Sequence, residues 1–255
     1  MNNPYRHDTV NEDLELIQNT KGLTFGTDAY LLAAYMSESR VKNAVEFGGG
    51  TGIISLLTAA KRRAEHIVCC EIQPEFCRLI EKNAEENGLA QTIQTMECDI
   101  RALNAMTLGF EAEAVFTNPP YMKTESGKRN DADEKYIARH EVCGTIYDFC
   151  AAAERILKFG GKFFCVWRPD RLADLMDAMR RHHLEPKRMT FVHGDTNTPP
   201  SIVLVEAKKG AAPSLILTKP LILYTAPAEK NAPRIYTEDA SRIYEDCSFS
   251  QFFSK

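Results

Sequence analysis

Short apolar runs alternate with longer amphipathic ones in this chain, and that rhythm constrains the fold more than any other feature. AVEF at Ala44–Phe47 is followed by TGIISLLTAAKRR, HIVCCE by PEFCRLIEKNAEEN, and TIQTMEC leads on to a further β-type run, EAVFT, ending at Thr117. The short runs are nearly continuous in apolar residues, as strands covered on both faces are. The long runs repeat apolar residues three and four positions apart, as helices do. Pro74 opens one helix and Gly88 stops it. Strand and helix in this order predict an α/β fold built on a mainly parallel sheet.

The flanks extend the pattern. Thr27-Asp28 followed by AYLLAAYMSES predicts an N-capped amphipathic helix with Ala29, Leu32, Ala33 and Met36 on one face. TIYDFCAAAERILKF predicts a helix ending at Gly160-Gly161, KFFCVW a strand and RLADLMDAMRRHH another helix. RMTFVH and SIVLVEAK, joined by GDTNTPP, predict an antiparallel strand pair closing the sheet. Beyond Gly210, LILTKPLILY predicts an edge strand or extended wrap, and TAPAEKNAPR a flexible stretch. The organisation expected is an N-terminal cap segment over residues 1–40, one main domain over 41–210 and a C-terminal extension over 211–255.

Composition narrows the class. The 255 residues are 44% hydrophobic and 26% charged, enough for one sizeable core, and the first residues are polar. No apolar run reaches the roughly 18 residues that cross a bilayer, so a cytoplasmic protein without membrane contact is expected. Eight cysteines include no CxxC pair, which predicts buried free thiols and no metal site. A net charge of −4 excludes a strongly basic nucleic-acid binder, yet the charge is uneven. Up to Tyr121 there are 10 basic and 17 acidic residues; from 122 to 210 there are 16 and 13. Any attraction for phosphate therefore lies after Tyr121.

Glu46-Phe47-Gly48-Gly49-Gly50-Thr51-Gly52 joins the first strand of the alternation to its helix. Glycines at 48, 50 and 52 let the backbone turn sharply and approach a nucleotide-like ligand, although tight turns and phosphate sites use such loops too. The loop lacks the GK[ST] of a phosphate cradle, and Glu46 stands two residues before its first glycine. That acid would repel a pyrophosphate but suits the cationic amino-acid end of S-adenosylmethionine, directly or through water. Glu71 closes the second strand, where a carboxylate can accept from both ribose hydroxyls, and Asp99 follows the third, where it can accept from an adenine amino group.

VFTNPPYM places two prolines directly after the fourth strand. Proline fixes its own φ and keeps the residue before it extended, so Asn118-Pro119-Pro120-Tyr121 is a stiff hook facing the glycine loop. An aromatic amine is a poor nucleophile because its lone pair is delocalised into the ring. Hydrogen bonds from its two N–H groups to the Asn118 side-chain oxygen and the Pro119 carbonyl would draw the nitrogen towards tetrahedral geometry, with Tyr121 stacked on the base. Direct displacement of a methyl group then needs neither metal nor covalent enzyme intermediate. The amine gains positive charge in the transition state, so acceptors help it.

These residues resemble the class I S-adenosylmethionine-dependent methyltransferases with an NPPY motif. GLTFGTDAYLLAAY, NPPYMK, IARHE at Ile137–Glu141, RPDRL and LEPKRMTFVH look like the bacterial tRNA1(Val) (adenine-37-N6)-methyltransferase family, over roughly residues 13 to 224. The resemblance implies a Rossmann-like fold with a mainly parallel seven-stranded sheet, an antiparallel final strand and helices on both faces. It implies S-adenosylmethionine as cofactor, held by Phe25, Asp28, Glu46, Gly48, Gly50, Thr51, Gly52, Glu71, Ile72, Asp99, Ile100 and Asn118. Asn118, Pro119, Pro120 and Tyr121 would be the catalytic hook, and Arg139 and His140 would lie near substrate phosphates.

The expected partner is a tRNA, contacted by Tyr121, Lys123, Lys128, Arg129, Arg139 and His140, with Arg180, Arg181, Lys187 and Arg188 as a second basic cluster. Two departures from the family pattern stand out: Gly49, where the family often has a larger residue, and the poorly matching TNTPPSIVLVE. NPPY is shared with DNA adenine and cytosine-N4 enzymes and with release-factor glutamine methyltransferases. The latter carry a helical domain before the glycine loop, for which 47 residues leave no room, and DNA enzymes normally add a target-recognition region. RNA is favoured because a loop base costs little to extrude. Transfer to another exocyclic or amide nitrogen, in rRNA, DNA or protein, stays open as the alternative, as does a non-catalytic cofactor- or RNA-binding protein.

Overall fold

A computed structural model describes residues 5–11, 14–19, 26–36, 40–119, 144–225 and 233–253. The alternation read from the sequence becomes β3 (Val41–Phe47), α2 (Ile53–Ala60), β4 (Ala64–Glu71), α3 (Pro74–Glu86), β5 (Ile93–Glu97) and β6 (Ala112–Thr117). Before it stand the hairpin strands β1 (Tyr5–Asn11) and β2 (Leu14–Asn19) and the helix α1 (Thr27–Tyr35). After it come α4 (Ala105–Leu108) within the β5–β6 connection, then α5 (Ile146–Ile156), β7 (Leu157–Trp167), α6 (Leu172–Arg181), β8 (Leu184–His193) and β9 (Pro200–Lys209). The short strands β10 (Ile216–Leu217) and β11 (Leu221–Ile222) precede α7 (Glu238–Asp246) and α8 (Ser250–Phe253).

The main sheet runs β10-β8-β9-β7-β6-β3-β4-β5, with β11 also on β8. Strands β3 to β7 pair in parallel, β9 is antiparallel to both β7 and β8, and β10 and β11 pair with β8 in parallel. The seven strands expected are present, and the single antiparallel strand, β9, is inserted between β7 and β8. LILTKPLILY does supply edge pairing, as two very short strands.

Pleating sends neighbouring residues to opposite faces. Ala44, Ile67, Ala114, Phe116 and Phe164 face the core shared with α1, α2, α3 and the C-terminal helices. Val45, Phe47, Val68, Val115 and Phe163 face the core shared with α5 and α6. Both faces are covered, which is why these strands read as continuous apolar runs.

Two local expectations are corrected. Helix α1 is capped by Gly26 with no side-chain cap, Thr27 being its first residue, and Ala29 to Tyr35 are buried all round because the sheet, α2 and α7 surround it. The helix predicted to reach Gly160-Gly161 stops at Ile156; Leu157 turns extended and begins β7, whose register slips between Ala112 and Ala114 of β6 to absorb the glycines. The C-terminal extension carries α7 and α8, and the flexible stretch predicted there lies largely outside the described residues, which resume at 233. Arg63, nearly fully buried, donates from Nη1 to the Ala33 carbonyl and from Nη2 to the Cys247 carbonyl, fastening the extension to α1.

The N-terminal hairpin was not foreseen. Asn83 of α3 donates to the Ile17 carbonyl (3.1 Å) and accepts from the Ile17 amide (2.8 Å), and Asn87 repeats the exchange with Glu15. Two amide side chains a turn apart thus hold β2 against the helix.

Candidate active site

Parallel pairing brings the carboxyl ends of β5, β4, β3 and β6 to one edge in that order. Asp99, Glu71, the glycine loop and Asn118 therefore line up along a single rim, although 71 positions separate the first loop glycine, Gly48, from Pro119. Such a rim is where open α/β sheets bind ligands.

Gly48, Gly50 and Gly52 adopt φ of 70°, 55° and 81°, in the left-handed region that side chains disfavour. A Cβ on Gly48 or Gly50 would meet nothing within 4 Å, so both offer bare backbone to open space. Gly49 is different. A Cβ there would collide with the Cys69 Sγ and come within 2.9 Å of Ile80 Cδ1. The extra glycine is matched to the cysteine beneath it, a relation across strands that sequence spacing does not reveal.

The strand-end acids are already engaged. Glu46, 1% exposed, accepts at Oε2 from the Ser55 amide (3.1 Å), the Ser55 hydroxyl and Cys69 Sγ (3.4 Å). Helix α2 starts on Gly52, which has no side chain, so Glu46 supplies the missing cap from the preceding strand. Burial pushes its carboxyl up to about 8, against the lowering effect of the Ser55 and Cys69 hydrogen bonds. Its placement as an open strand-end acid is corrected: the carboxylate points into the α2 side of the sheet.

Glu71 accepts at Oε2 from Gly50 N (3.0 Å) and at Oε1 from Ile72 N (2.9 Å) and Gln73 N (3.0 Å). It ties the loop to the end of β4, and a carboxylate has room for about four donors, so one direction stays available. Asp99 receives the Arg101 amide and guanidinium, which holds its carboxyl below the usual range, and this pair is exposed on the rim. Thr51 and Ile100 are buried beside these groups, and Ile72 is half-buried. Asn83 was missed by sequence reasoning. Its Nδ2 donates to the Thr51 carbonyl (2.9 Å) and so steadies the loop; the signal was a polar residue on the apolar face of α3.

Asn118 directly follows β6, and Thr117 Oγ1 donates to the Phe47 carbonyl (3.0 Å), locking the hook's root to the glycine strand. Asn118 Nδ2 donates to Asp28 Oδ2 at 3.1 Å. Asp28 Oδ1 accepts from Ala29 N at 3.1 Å. Pro119 is buried. Pro120, Tyr121, Phe25, Lys123, Lys128, Arg129, Arg139 and His140 lie outside the described residues.

The second basic cluster is displaced from the rim. Helix α6 and strand β8 meet at the opposite edge of the sheet, where Arg180 pairs with Glu185 and Arg181 with Asp177, and Lys187 donates to the Ala212 carbonyl nearby. Arg188 is not a surface charge at all: it pairs with Glu206 (3.2 Å) and lies 3.6 Å from the Phe253 ring centroid.

Against known families, residues 20–185 match the model described as methyltransferase small domain. The chain belongs to that family. A tRNA1(Val) (adenine(37)-N6)-methyltransferase of Flavobacteriaceae bacterium (strain 3519-10) is 24% identical over 230 residues, covering 90% of this chain and 93% of the relative. One of the same name from Parabacteroides distasonis is 26% identical, covering 71% and 75%. Among solved structures, a predicted O-methyltransferase of Agrobacterium tumefaciens aligns with TM-score 0.69 at 21% identity, over 87% of this chain and 97% of that one. That likeness establishes the Rossmann-like methyltransferase fold. The rim holding Asn118 and the glycine loop thus belongs to a methyltransferase family domain, and among the described residues no helix is long and apolar enough to cross a membrane.

Proposed function

We propose that this chain transfers a methyl group to the N6 amine of an unpaired adenine in tRNA, with adenine 37 of tRNA1(Val), named for its relatives, as the first candidate. The observation that carries the reading is the orientation of Asn118. Its NH2 end is engaged by a carboxylate that can only accept, so Oδ1 is the end left to receive an N–H of the target amine.

S-adenosylmethionine supplies the electrophilic methyl group when bound. The bare backbone at Gly48 and Gly50 fits a ligand lying across the loop, and the remaining acceptor direction of Glu71 suits a ribose hydroxyl. Asp99 would meet the adenine end once Arg101 swings aside; an exposed pair of this kind is worth only about 0–1 kcal/mol. Thr51, Ile72 and Ile100 would wall the site, and Phe25 would close it from the α1 side. Glu46 acts from behind, setting α2 and the loop.

In the reaction Asn118 Oδ1 and the Pro119 carbonyl accept from the amine, turning its lone pair out of the ring plane. Methyl transfer would leave the donor as a neutral thioether and the nitrogen positively charged, and the same acceptors would stabilise that charge until a proton leaves to solvent. Tyr121 supplies the stacking surface, and Lys123, Lys128, Arg129, Arg139 and His140 the phosphate contacts.

Purified protein, labelled S-adenosylmethionine and tRNA from cells lacking the gene test this directly. The wild type is expected to yield N6-methyladenosine on nucleoside digestion, with Asn118→Ala at least 100-fold slower and cofactor affinity changed by less than about threefold. An Asn118→Ala variant as active as wild type would sink the mechanism.

A further inference from the structure

We infer that Asp28 is a positioning residue for Asn118: its carboxylate fixes which end of the amide meets the target amine. The inference rests on the proposed acceptor role of Asn118. It assigns Asp28 a task different from closing over a cofactor.

Side-chain amides have two nearly isosteric ends, one an acceptor and the other a donor of two N–H groups. For an amine nucleophile the difference decides the outcome. Presented with NH2, the target nitrogen would face a donor, and its lone pair would be drawn towards the protein and away from the methyl group. Asn118 therefore needs a device that forbids the flipped state, and neither its rotamer nor the following proline provides one.

Asp28 provides it. Oδ2 lies 3.1 Å from Asn118 Nδ2, and a carboxylate offers no proton, so flipping the amide would set oxygen against oxygen at this distance. The other oxygen is occupied: Oδ1 accepts from Ala29 N at 3.1 Å, which keeps the carboxylate from turning. Space for it is reserved by Gly26, where a Cβ would stand 2.6 Å from that same Oδ1. Both partners are rooted in rigid elements. Helix α1 is buried from Ala29 to Tyr35, and Asn118 follows Thr117, whose hydroxyl is tied to the Phe47 carbonyl. The two residues are 90 positions apart, so the contact exists only in the folded protein.

The swapped pair tests this. Asn118→Asp alone places two carboxylates in contact and is expected to cut single-turnover methylation at least 100-fold. Adding Asp28→Asn returns an N–H donor on the α1 side and leaves an acceptor oxygen facing the amine, so D28N/N118D is expected to recover at least tenfold over N118D. D28A alone is expected to lose ten- to hundredfold in single-turnover rate, with cofactor affinity within threefold and an unchanged melting temperature. A loss confined to cofactor affinity, or a swapped pair no better than N118D, overturns the inference. Failure of the underlying reading looks different: N118A and D28A would then both match wild type. A readout independent of substrate is the 15N spectrum of the Asn118 NH2 group in the free protein, which must shift on D28A; an unmoved resonance overturns the contact itself.

Discussion

At the residue scale, Glu46 shows how a conspicuous sequence feature can hide its task. An acid before a glycine loop reads as a ligand for the cofactor, yet the structure turns it inward to cap a helix whose N-cap residue, Gly52, has no side chain. The desolvation of a buried carboxylate outweighs three hydrogen bonds here, so the folded carboxyl binds its proton more tightly than the unfolded one. Linkage then fixes the sign. The stabilising contribution is complete below the unfolded value, near 4.5, and is lost as pH rises towards 8. Chemical denaturation across this range should show wild-type stability falling on the order of 4 kcal/mol from this group. Glu46→Gln should flatten that slope, and an unchanged slope in the variant would show that Glu46 is not its source. Gly49 teaches the same lesson: its need for no side chain comes from Cys69 on the neighbouring strand, which no local pattern contains.

At the element scale, β3 to β6 and their helices were legible because hydrophobic periodicity is local and both sheet faces are covered. The hook was legible because Pro119-Pro120 follows an apolar run. Elements whose identity depends on distant partners were not. ILKFGGKFF carries apolar residues compatible with either helix or strand, and only pairing with Ala112 makes Leu157 extended. The N-terminal hairpin is polar on its open side and is recognisable through Asn83 and Asn87 rather than through its own sequence. Helix α7 buries only Ala240 and Ile243, too faint a stripe to read beside a proline-rich stretch.

The C-terminal extension nevertheless supports the site. Phe249 is fully buried and packs edge-on against Tyr35 of α1, with ring centroids 5.3 Å apart, while Tyr30 donates to the Tyr244 carbonyl at 2.6 Å. Phe249→Ala is expected to cost about 3–5 kcal/mol in denaturant unfolding. Because α1 carries Asp28, it should also slow methyl transfer below the denaturation threshold. A variant of wild-type stability would show that the extension is not part of the core.

At the scale of the whole molecule, topology decides which charges can matter. The chain is described up to Pro119, which follows β6 on the site rim, and again from Gly144, two residues before α5. Arg180, Arg181 and Lys187 sit at the opposite edge, paired or bonded locally. Truncating Arg180 and Arg181 should therefore leave the salt dependence of RNA binding unchanged. Truncating Lys123, Lys128 and Arg129 should reduce the log–log slope by roughly two. Equal effects from the two sets, measured by filter binding over a salt series, would place RNA on both edges and contradict this arrangement.

On this reading the hook methylates the amine of a tRNA adenine. Nucleoside mass spectrometry of purified valine tRNA, from cells with the gene, without it, and complemented with wild type or Asn118→Ala, tests that claim most directly. N6-methyladenosine should vanish with the gene and return only with the wild-type copy. An unchanged level in every tRNA, with loss instead of methylated glutamine in protein or methylated adenine in DNA, would contradict it.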